Sequence, residues 1–364
     1  MAYTPPDSIF DLAPRELKQA VADMGQPAYR AQQLSEWLYD KRCGSFEEMS
    51  NLPRGMRDKL AARFSFDPLR LEKKRVSKDG TVKFLFRLGD DRDIETVLIP
   101  SETLNAEGES KRLTLCVSTQ VGCPLDCKFC ATATLKLKRN LSAGEIVGQF
   151  LLAQRETGRR ITNMVFMGMG EPMLNYDNVM RAVETLTNPD NQVIGPKRIT
   201  LSTSGIVKNI VRMADEQRSI KLAISLHALR DKLRTELMPI NKRWNLRDLT
   251  KAIEYYYNKT NIPVTYEYIL FDGLNDSMDD VKRLAKLARR VPSKVNVIPF
   301  HPIDFTNPTG FAAELKATTP EKFNAFIAQL RALDVTVMIR SSSGKDIEAA
   351  CGQLALSNTP EIVV

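Results

Sequence analysis

The 364-residue sequence contains only two histidines, His227 and His301, and only six cysteines. Two imidazoles are too few for the chemistry of most zinc hydrolases, which use several. Six cysteines, three of them packed into CPLDCKFC at 123–130, do not make a disulfide framework and point to thiols used for metal or catalysis. No apolar run approaches the roughly 18 residues that a membrane span needs. The opening MAYTPPDSIFDLAPREL has neither the basic nor the apolar region of a secretory leader, so a cytoplasmic protein is expected. Internal repeats and low-complexity tracts are also lacking.

What is present describes a globular chain with a sizeable core, 43% apolar and 26% charged. The net charge of +8, from 52 Lys+Arg against 44 Asp+Glu, suits a polyanionic partner. Short basic runs at LKLKRN (135–140), GRR (158–160), GPKR (195–198) and NKRW (241–244) offer phosphate contacts.

Local periodicity divides the chain. APRELKQAVADMG, YRAQQLSEWLYDKR and SFEEMSNLPRGMRDKLAARF space apolar residues three and four apart, which predicts helices over 1–62. Alternation over 68–100, with turn signals at Asp79-Gly80 and Gly89-Asp90, predicts a hairpin-like β extension within 63–110. From about 111 to 345, strand, loop and helix repeat. Strands are expected at 112–119, 161–168, 197–204, 220–227, 264–271, 294–300 and 335–341. The helix SAGEIVGQFLLAQRET carries a capping box at Ser142 and Glu145. This rhythm implies an α/β fold with a parallel sheet, open or barrel-like, and chemistry at the strands' C-terminal ends. A last segment, 346–364, contains Cys351.

Three thiols on one polar loop do not read as core. A structural zinc site wants four ligands, usually from two knuckles. Here one Cys-x2-Cys is preceded by a single further cysteine, and Cys116 lies awkwardly inside an expected strand. A [4Fe–4S] cluster has four irons, each wanting a ligand. Cys123, Cys127 and Cys130 would bind three and leave the fourth open to a small molecule.

The pattern Cys-x3-Cys-x-aromatic-Cys, with Phe129 as the aromatic, on the loop after the first strand of a βα series resembles the radical S-adenosylmethionine superfamily. That resemblance implies a partial (β/α) barrel. It also implies that S-adenosylmethionine binds the open iron and yields a 5′-deoxyadenosyl radical. Gly170 and Glu171 in MGMGEPMLN, Ser202, then Ser225, Leu226 and His227, fall at the cofactor-contacting positions. His301 falls where relatives carry an asparagine.

Cys351 in IRSSSGKDIEAACGQL, Cys116 in TLCVSTQVGC and Glu95 in IETVLIP resemble the RlmN/Cfr family of RNA adenine methyltransferases, and the likeness covers nearly the whole chain, including the N-terminal helices. It implies that Cys351 takes a methyl group from one S-adenosylmethionine and that hydrogen abstraction from this S-methyl lets its carbon add to the electron-poor carbon 2 of adenine. Glu95 then accepts the displaced proton. Cys116 attacks the Cys351 sulfur, forming a transient disulfide and releasing methylated RNA. The substrate implied is 23S ribosomal RNA, with transfer RNA a second candidate. The helices of 1–62 are candidates for RNA binding, an electron donor such as flavodoxin is implied, and a monomer is expected. Cys43 matches no functional position and reads as structural. Methylation at adenine carbon 8, and a zinc-bearing RNA-binding module without catalysis, are the competing readings.

Overall fold

The expected N-terminal helices form as α1 (Pro14–Asp23), α2 (Tyr29–Ser35) and α3 (Arg54–Arg63) in the computed structural model, which describes residues 8–104, 108, 110–191, 193–339 and 343–356. The ends of the chain, 1–7 and 357–364, and residues 340–342 of the Cys351 stretch lie outside the described residues. Pro14 opens α1 at a position where a missing N–H costs nothing, and Leu17, Ala20 and Val21 form its buried face. SFEEMS does not continue the helical pattern as expected. Residues 45–52 are turns and bends, and α3 starts only after Pro53. Proline disfavours helical backbone in the residue before it, so a helix could not run through this point.

Next come β1 (Leu69–Val76), β2 (Val82–Leu88) and β3 (Asp93–Pro100), antiparallel and joined at the two expected turns. They are not a separate unit. β3 pairs antiparallel with β4 (Leu113–Cys116), so the extension lengthens the main sheet. A short ladder of β5 (Gln120–Val121) and β6 (Arg139–Asn140) brackets the cysteine loop. The remaining strands are β7 (Asn163–Phe166), β8 (Ile199–Thr203), β9 (Lys221–Ser225), β10 (Val264–Leu270), β11 (Ser293–Pro299) and β12 (Val337–Ile339). All seven expected strands of the repeat are found. Their order is β1-β2-β3-β4-β7-β8-β9-β10-β11-β12, parallel from β4 onward.

Helices α4 (Ala143–Thr157), α5 (Tyr176–Thr187), α6 (Val207–Asp215), α7 (Asp231–Leu237), α8 (Leu246–Thr260), α9 (Met278–Ala288), α10 (Phe311–Glu314) and α11 (Pro320–Ala332) lie between the parallel strands in the chain. The Ser142–Glu145 capping box starts α4 as expected. β10 is buried at every position, whereas β1 exposes every second residue, many of them charged, as suits a sheet edge. β1 and β12 are both edges, so the barrel is not closed. Its inward positions include Thr114, Asn163, Thr200, Thr265 and Asn296, and a cavity of 440 Å³ runs along them. A closed (β/α) barrel would fill that space with branched apolar side chains.

Two docking contacts matter for the site. At the N-terminal side, Asp11 Oδ1 accepts from the Gly144 N–H at the start of α4 (2.6 Å), and Arg181 on α5 pairs with Glu16. One hydrophobic core runs from the N-terminal helices into the sheet. At the other side, the β extension grips the C-terminal segment. Asp79 Oδ2 accepts from Gly344 N (2.8 Å) and Asp346 Oδ2 from Lys78 N (3.2 Å). Lys83 and Glu95 form an ion pair at 3.0 Å, their side chains 4% and 3% exposed. Lys83 Nζ also donates to the Glu348 carbonyl, and Glu95 Oε2 accepts from Leu356 N, both at 3.2 Å.

A buried ion pair is costly to break on one side only. Lys83→Met is expected to destabilise the fold by about 3–5 kcal/mol, while Lys83→Met/Glu95→Leu recovers most of the loss. Urea denaturation of the three proteins measures this, and a single variant as stable as the parent contradicts it.

Candidate active site

The cysteine loop follows the C-terminal end of β4 and is shaped by its glycine and its aromatic. Gly122 has φ +75°, and a Cβ there would lie 1.8 Å from the Lys136 carbonyl oxygen, so no other residue fits. Phe129 packs edge-on to His227, ring centroids 4.7 Å apart, and against Phe271 at 5.9 Å. This anchors the loop in a second apolar cluster and leaves Cys123, Cys127 and Cys130 lining one cavity of 130 Å³. Gly170, Glu171, Ser202, Ser225 and His227 line the same cavity, so the structure brings these expected cofactor contacts together. Leu226 is buried behind them, its carbonyl accepting from Arg234 Nε at 3.1 Å.

The polar groups around the thiols are tied down. Glu171 accepts from Ser204 N (2.8 Å), Ser204 Oγ (2.7 Å) and Met173 N (3.0 Å), yet burial still raises its carboxyl above the usual range. His227 sits at φ +56° with Nδ1 accepting from Ile269 N at 3.1 Å. That bond places its proton on Nε2. Burial, followed by the nearby Arg234, pushes its pKa down to about 3. Sequence reasoning missed Arg234. It is fully buried and donates to the carbonyls of Leu226, Ser204 and Ser225 and to Asn241 Oδ1, stitching the ends of β8 and β9 together. Burial lowers its pKa to about 10. Its cue in the sequence, one arginine in the amphipathic DKLRTEL, resembles an ordinary surface position.

Cys351 is held directly against the cysteine loop. Ala131 N donates to the Gly352 carbonyl (2.7 Å) and Thr132 Oγ1 to the Leu354 carbonyl (2.6 Å). Cys351 lines both the 130 Å³ cavity and the 440 Å³ cavity of the barrel interior. Cys116, the last residue of β4, lines the larger cavity with it, so the structure brings these two expected partners to one space. Glu267 on β10 also faces both cavities, with Oε1 accepting from Asn296 Nδ2 at 2.8 Å. It was missed as well, although the alternation in VTYEYILF puts it two residues from Thr265 on the inward face. His301 lies on the wall of the larger cavity rather than beside the three cysteines, buried, with no hydrogen-bond partner for Nδ1 among the described residues. Glu95 lines neither cavity and is enclosed by Lys83 and Leu356. Cys43 is buried away from the site, its thiol pushed up to about 11 by burial.

The donor set fits an iron–sulfur group. Burial raises all three thiols, Cys123 to about 12 and Cys127 well above its usual value. The charges of neighbouring cysteines and Glu171 add to this at Cys123 and Cys127. Three thiolates can share this pocket only with positive charge between them. Three cysteines on one loop lining one cavity suit a cluster that takes one thiolate per iron and keeps one iron for another ligand.

Comparison with known proteins is consistent with this geometry. The profile of the radical SAM superfamily matches residues 117–288, and that of the ribosomal RNA large subunit methyltransferase N-terminal domain matches 8–65. A probable dual-specificity RNA methyltransferase RlmN of Flavobacterium psychrophilum is 45% identical over 332 residues, 90% of this chain and 91% of the relative. Its namesake in Heliobacterium modesticaldum is 42% identical over 356 residues, covering 96% of this chain and 89% of that one. The crystal structure of a radical SAM methyltransferase from Sphaerobacter thermophilus superposes with a TM-score of 0.87 at 42% identity, covering 96% of this chain and 99% of the other.

The state of His227 has a consequence for stability. Between pH 6.5 and about 3, the unfolded chain binds a proton at this imidazole that the folded chain refuses. Folding stability therefore falls as pH is lowered through that window, by about 1.4 kcal/mol per pH unit from this group. His227→Asn keeps an acceptor for Ile269 N–H without a titrating ring. Urea denaturation at a series of pH values should show a shallower acid slope in the variant, and equal slopes contradict the assignment.

Proposed function

Because the chain belongs to the RlmN family of radical SAM methyltransferases, we propose that it methylates carbon 2 of an adenine in 23S ribosomal RNA, with transfer RNA as a second substrate, in the cytoplasm. Superfamily membership implies a [4Fe–4S] cluster and S-adenosylmethionine, and Cys123, Cys127 and Cys130 would hold the cluster. Gly170, Glu171, Ser202, Ser225, the backbone of Leu226, and His227 would contact the nucleoside cofactor, with His301 at the far edge. When bound, this pair supplies a carbon-centred radical, which can attack an electron-poor ring carbon that ordinary methyl transfer cannot.

The observation that carries the reading is the position of Cys351 on the wall shared by the two cavities, with Cys116 on the second. Such a thiol can face a cofactor on one side and a nucleobase on the other. In the proposed cycle, Cys351 Sγ carries the one-carbon unit and becomes joined to the base through it. Glu95 accepts the proton lost from carbon 2, and the one electron left over from radical addition would return to the bound redox group, giving a closed-shell thioether. The enclosure of Glu95 by Lys83 and Leu356 means that the C-terminal segment must shift for the carboxylate to reach the base. Cys116 Sγ then attacks Cys351 Sγ. An S–S bond forms as the S–C bond breaks, and the electron pair and a proton pass to the released methyl carbon. The N-terminal helices would grip RNA, and a small redox protein such as flavodoxin would supply electrons.

Anaerobic reconstitution with iron, sulfide, S-adenosylmethionine and a reductant, followed by mass spectrometry of RNA nucleosides, tests the reading. 2-Methyladenosine is expected; 8-methyladenosine, or no methylated adenosine, contradicts it. Cys351→Ala should abolish product. Cys116→Ala should trap a protein–RNA adduct visible on a denaturing gel, and a full yield of free methylated RNA from that variant would remove Cys116 from the cycle.

A further inference from the structure

The 440 Å³ cavity has a second end. At the N-terminal ends of the parallel strands, opposite the cysteine loop, it is lined by Arg112, Arg198, Lys221 and Lys294. Each comes from a different strand start. Arg112 immediately precedes β4, Arg198 immediately precedes β8, Lys221 opens β9 and Lys294 is second in β11. Residues two apart on a strand share a face. Arg112 is thus in step with Thr114 and Cys116, Arg198 with Thr200 and Ser202, and Lys294 with Asn296 and Ile298, all of which line one or both cavities.

The four cations are exposed at this mouth. Arg139 and Arg212 elsewhere are paired with carboxylates, but none of these four is in an ion pair among the described residues. The acidic groups lining the same cavity are Glu102, on the exposed loop after β3, and Glu267, deep in the interior. The Lys221 ammonium is held below the usual lysine range, first by partial burial and then by Lys294, Arg112 and Arg198, so the four charges feel one another. Four crowded cations outnumber the one exposed carboxylate, Glu102, that lines the cavity among the described residues, and such an excess favours a bound polyanion. Further along the open edge of the barrel, Met338 and Ile339 of β12, level with Asn296 and Val297, stand half exposed and offer apolar surface.

Of the four basic runs in the sequence, GPKR alone contributes to this lining, through Arg198. Arg139 of LKLKRN is instead paired with Asp90 and Glu145, and Arg243 of NKRW lies over the Trp244 ring. At the top of the barrel, the Cys351 segment closes onto the cysteine loop. A base arriving from there would have to cross the cofactor site; one arriving from the mouth would not.

We infer that RNA enters through the N-terminal mouth of the barrel, its backbone phosphates gripped by Arg112, Arg198, Lys221 and Lys294, with one base passed inward toward Cys351. This rests on the RNA methyltransferase reading above. A cavity of this size takes a single extruded nucleotide and no helical stem, so the phosphates flanking the flipped base remain at the mouth.

The test is the salt dependence of binding to a fluorescein-labelled RNA hairpin with an unpaired loop adenosine, using the full-length reconstituted protein. Each lost phosphate contact lowers the slope of log K against log salt concentration by about 0.7–0.9. R112Q/R198Q/K221Q/K294Q should lose about 3–3.5 from the slope and weaken binding about tenfold or more at low salt. The charge-preserving R112K/R198K/K221R/K294R should keep the parent slope. Cluster absorbance of both variants should match the parent, and neither variant should unfold at a lower temperature, since all four positions are exposed. An unchanged slope in the neutralised variant, or an equal loss in the charge-preserving one, overturns the proposal. If the parent methylates RNA but the neutralised slope is unchanged, the mouth falls and the methyltransferase reading stands. If the slope drops but the parent makes no methylated adenosine, the reverse holds.

Discussion

Two hydrogen bonds fix the relation between the halves of this site: Ala131 N to the Gly352 carbonyl and Thr132 Oγ1 to the Leu354 carbonyl. They join the cysteine loop to a segment more than two hundred residues away in the chain, and they set where Cys351 stands relative to Cys130. Gly352 has φ +84°, and a Cβ there would come within 3.0 Å of the Phe129 carbonyl oxygen, so the close approach depends on glycine. The segment needs a second support, because a short irregular stretch gains little from its own burial. The β1–β3 extension provides it through Asp79, the backbone of Lys78 and the Lys83–Glu95 pair. The extension lengthens the sheet, and its polar groups position the segment that carries Cys351.

Electrostatics sets a requirement at the same place. Three half-buried thiols and a buried Glu171 concentrate acidic groups in a small volume, and each resists ionisation there. Arg234 is the fixed cation nearby. Its donors go to carbonyls and an amide, with no carboxylate among them, so its charge remains available to the pocket. One arginine cannot balance three thiolates and a carboxylate. The remaining positive charge has to come with the bound group, which is why the pocket suits an iron-containing cluster and a sulfonium compound.

Much of this was legible in the residues. All seven strands of the repeat, the Ser142–Glu145 cap, the two hairpin turns and the cysteine loop follow from local periodicity and spacing, because each depends on residues close in sequence. The helical pattern failed at SFEEMS, where a downstream proline overrode apolar spacing. The larger misses are tertiary. Arg234 acquires its role only when the ends of β8 and β9 come together. Glu267 becomes a cavity residue only when the sheet curls. The enclosure of Glu95 by Lys83 and Leu356 depends on a contact spanning most of the chain, which no local pattern announces.

An open barrel interior has to be reconciled with a stable fold, since an empty apolar cavity of this size would be costly. Here the inward positions are threonine, asparagine, serine, glutamate and cysteine interspersed with small or medium apolar residues, and water can occupy such a lining at little cost when no substrate is present. The apolar core is built instead on the outer face of the sheet, where helices such as α4, α5 and α8 cover it. Stability and access are thereby assigned to opposite faces of the same strands. A period of two separates them, and a one-residue register slip would exchange them. The long parallel ladder from β4 to β12 is what prevents that slip.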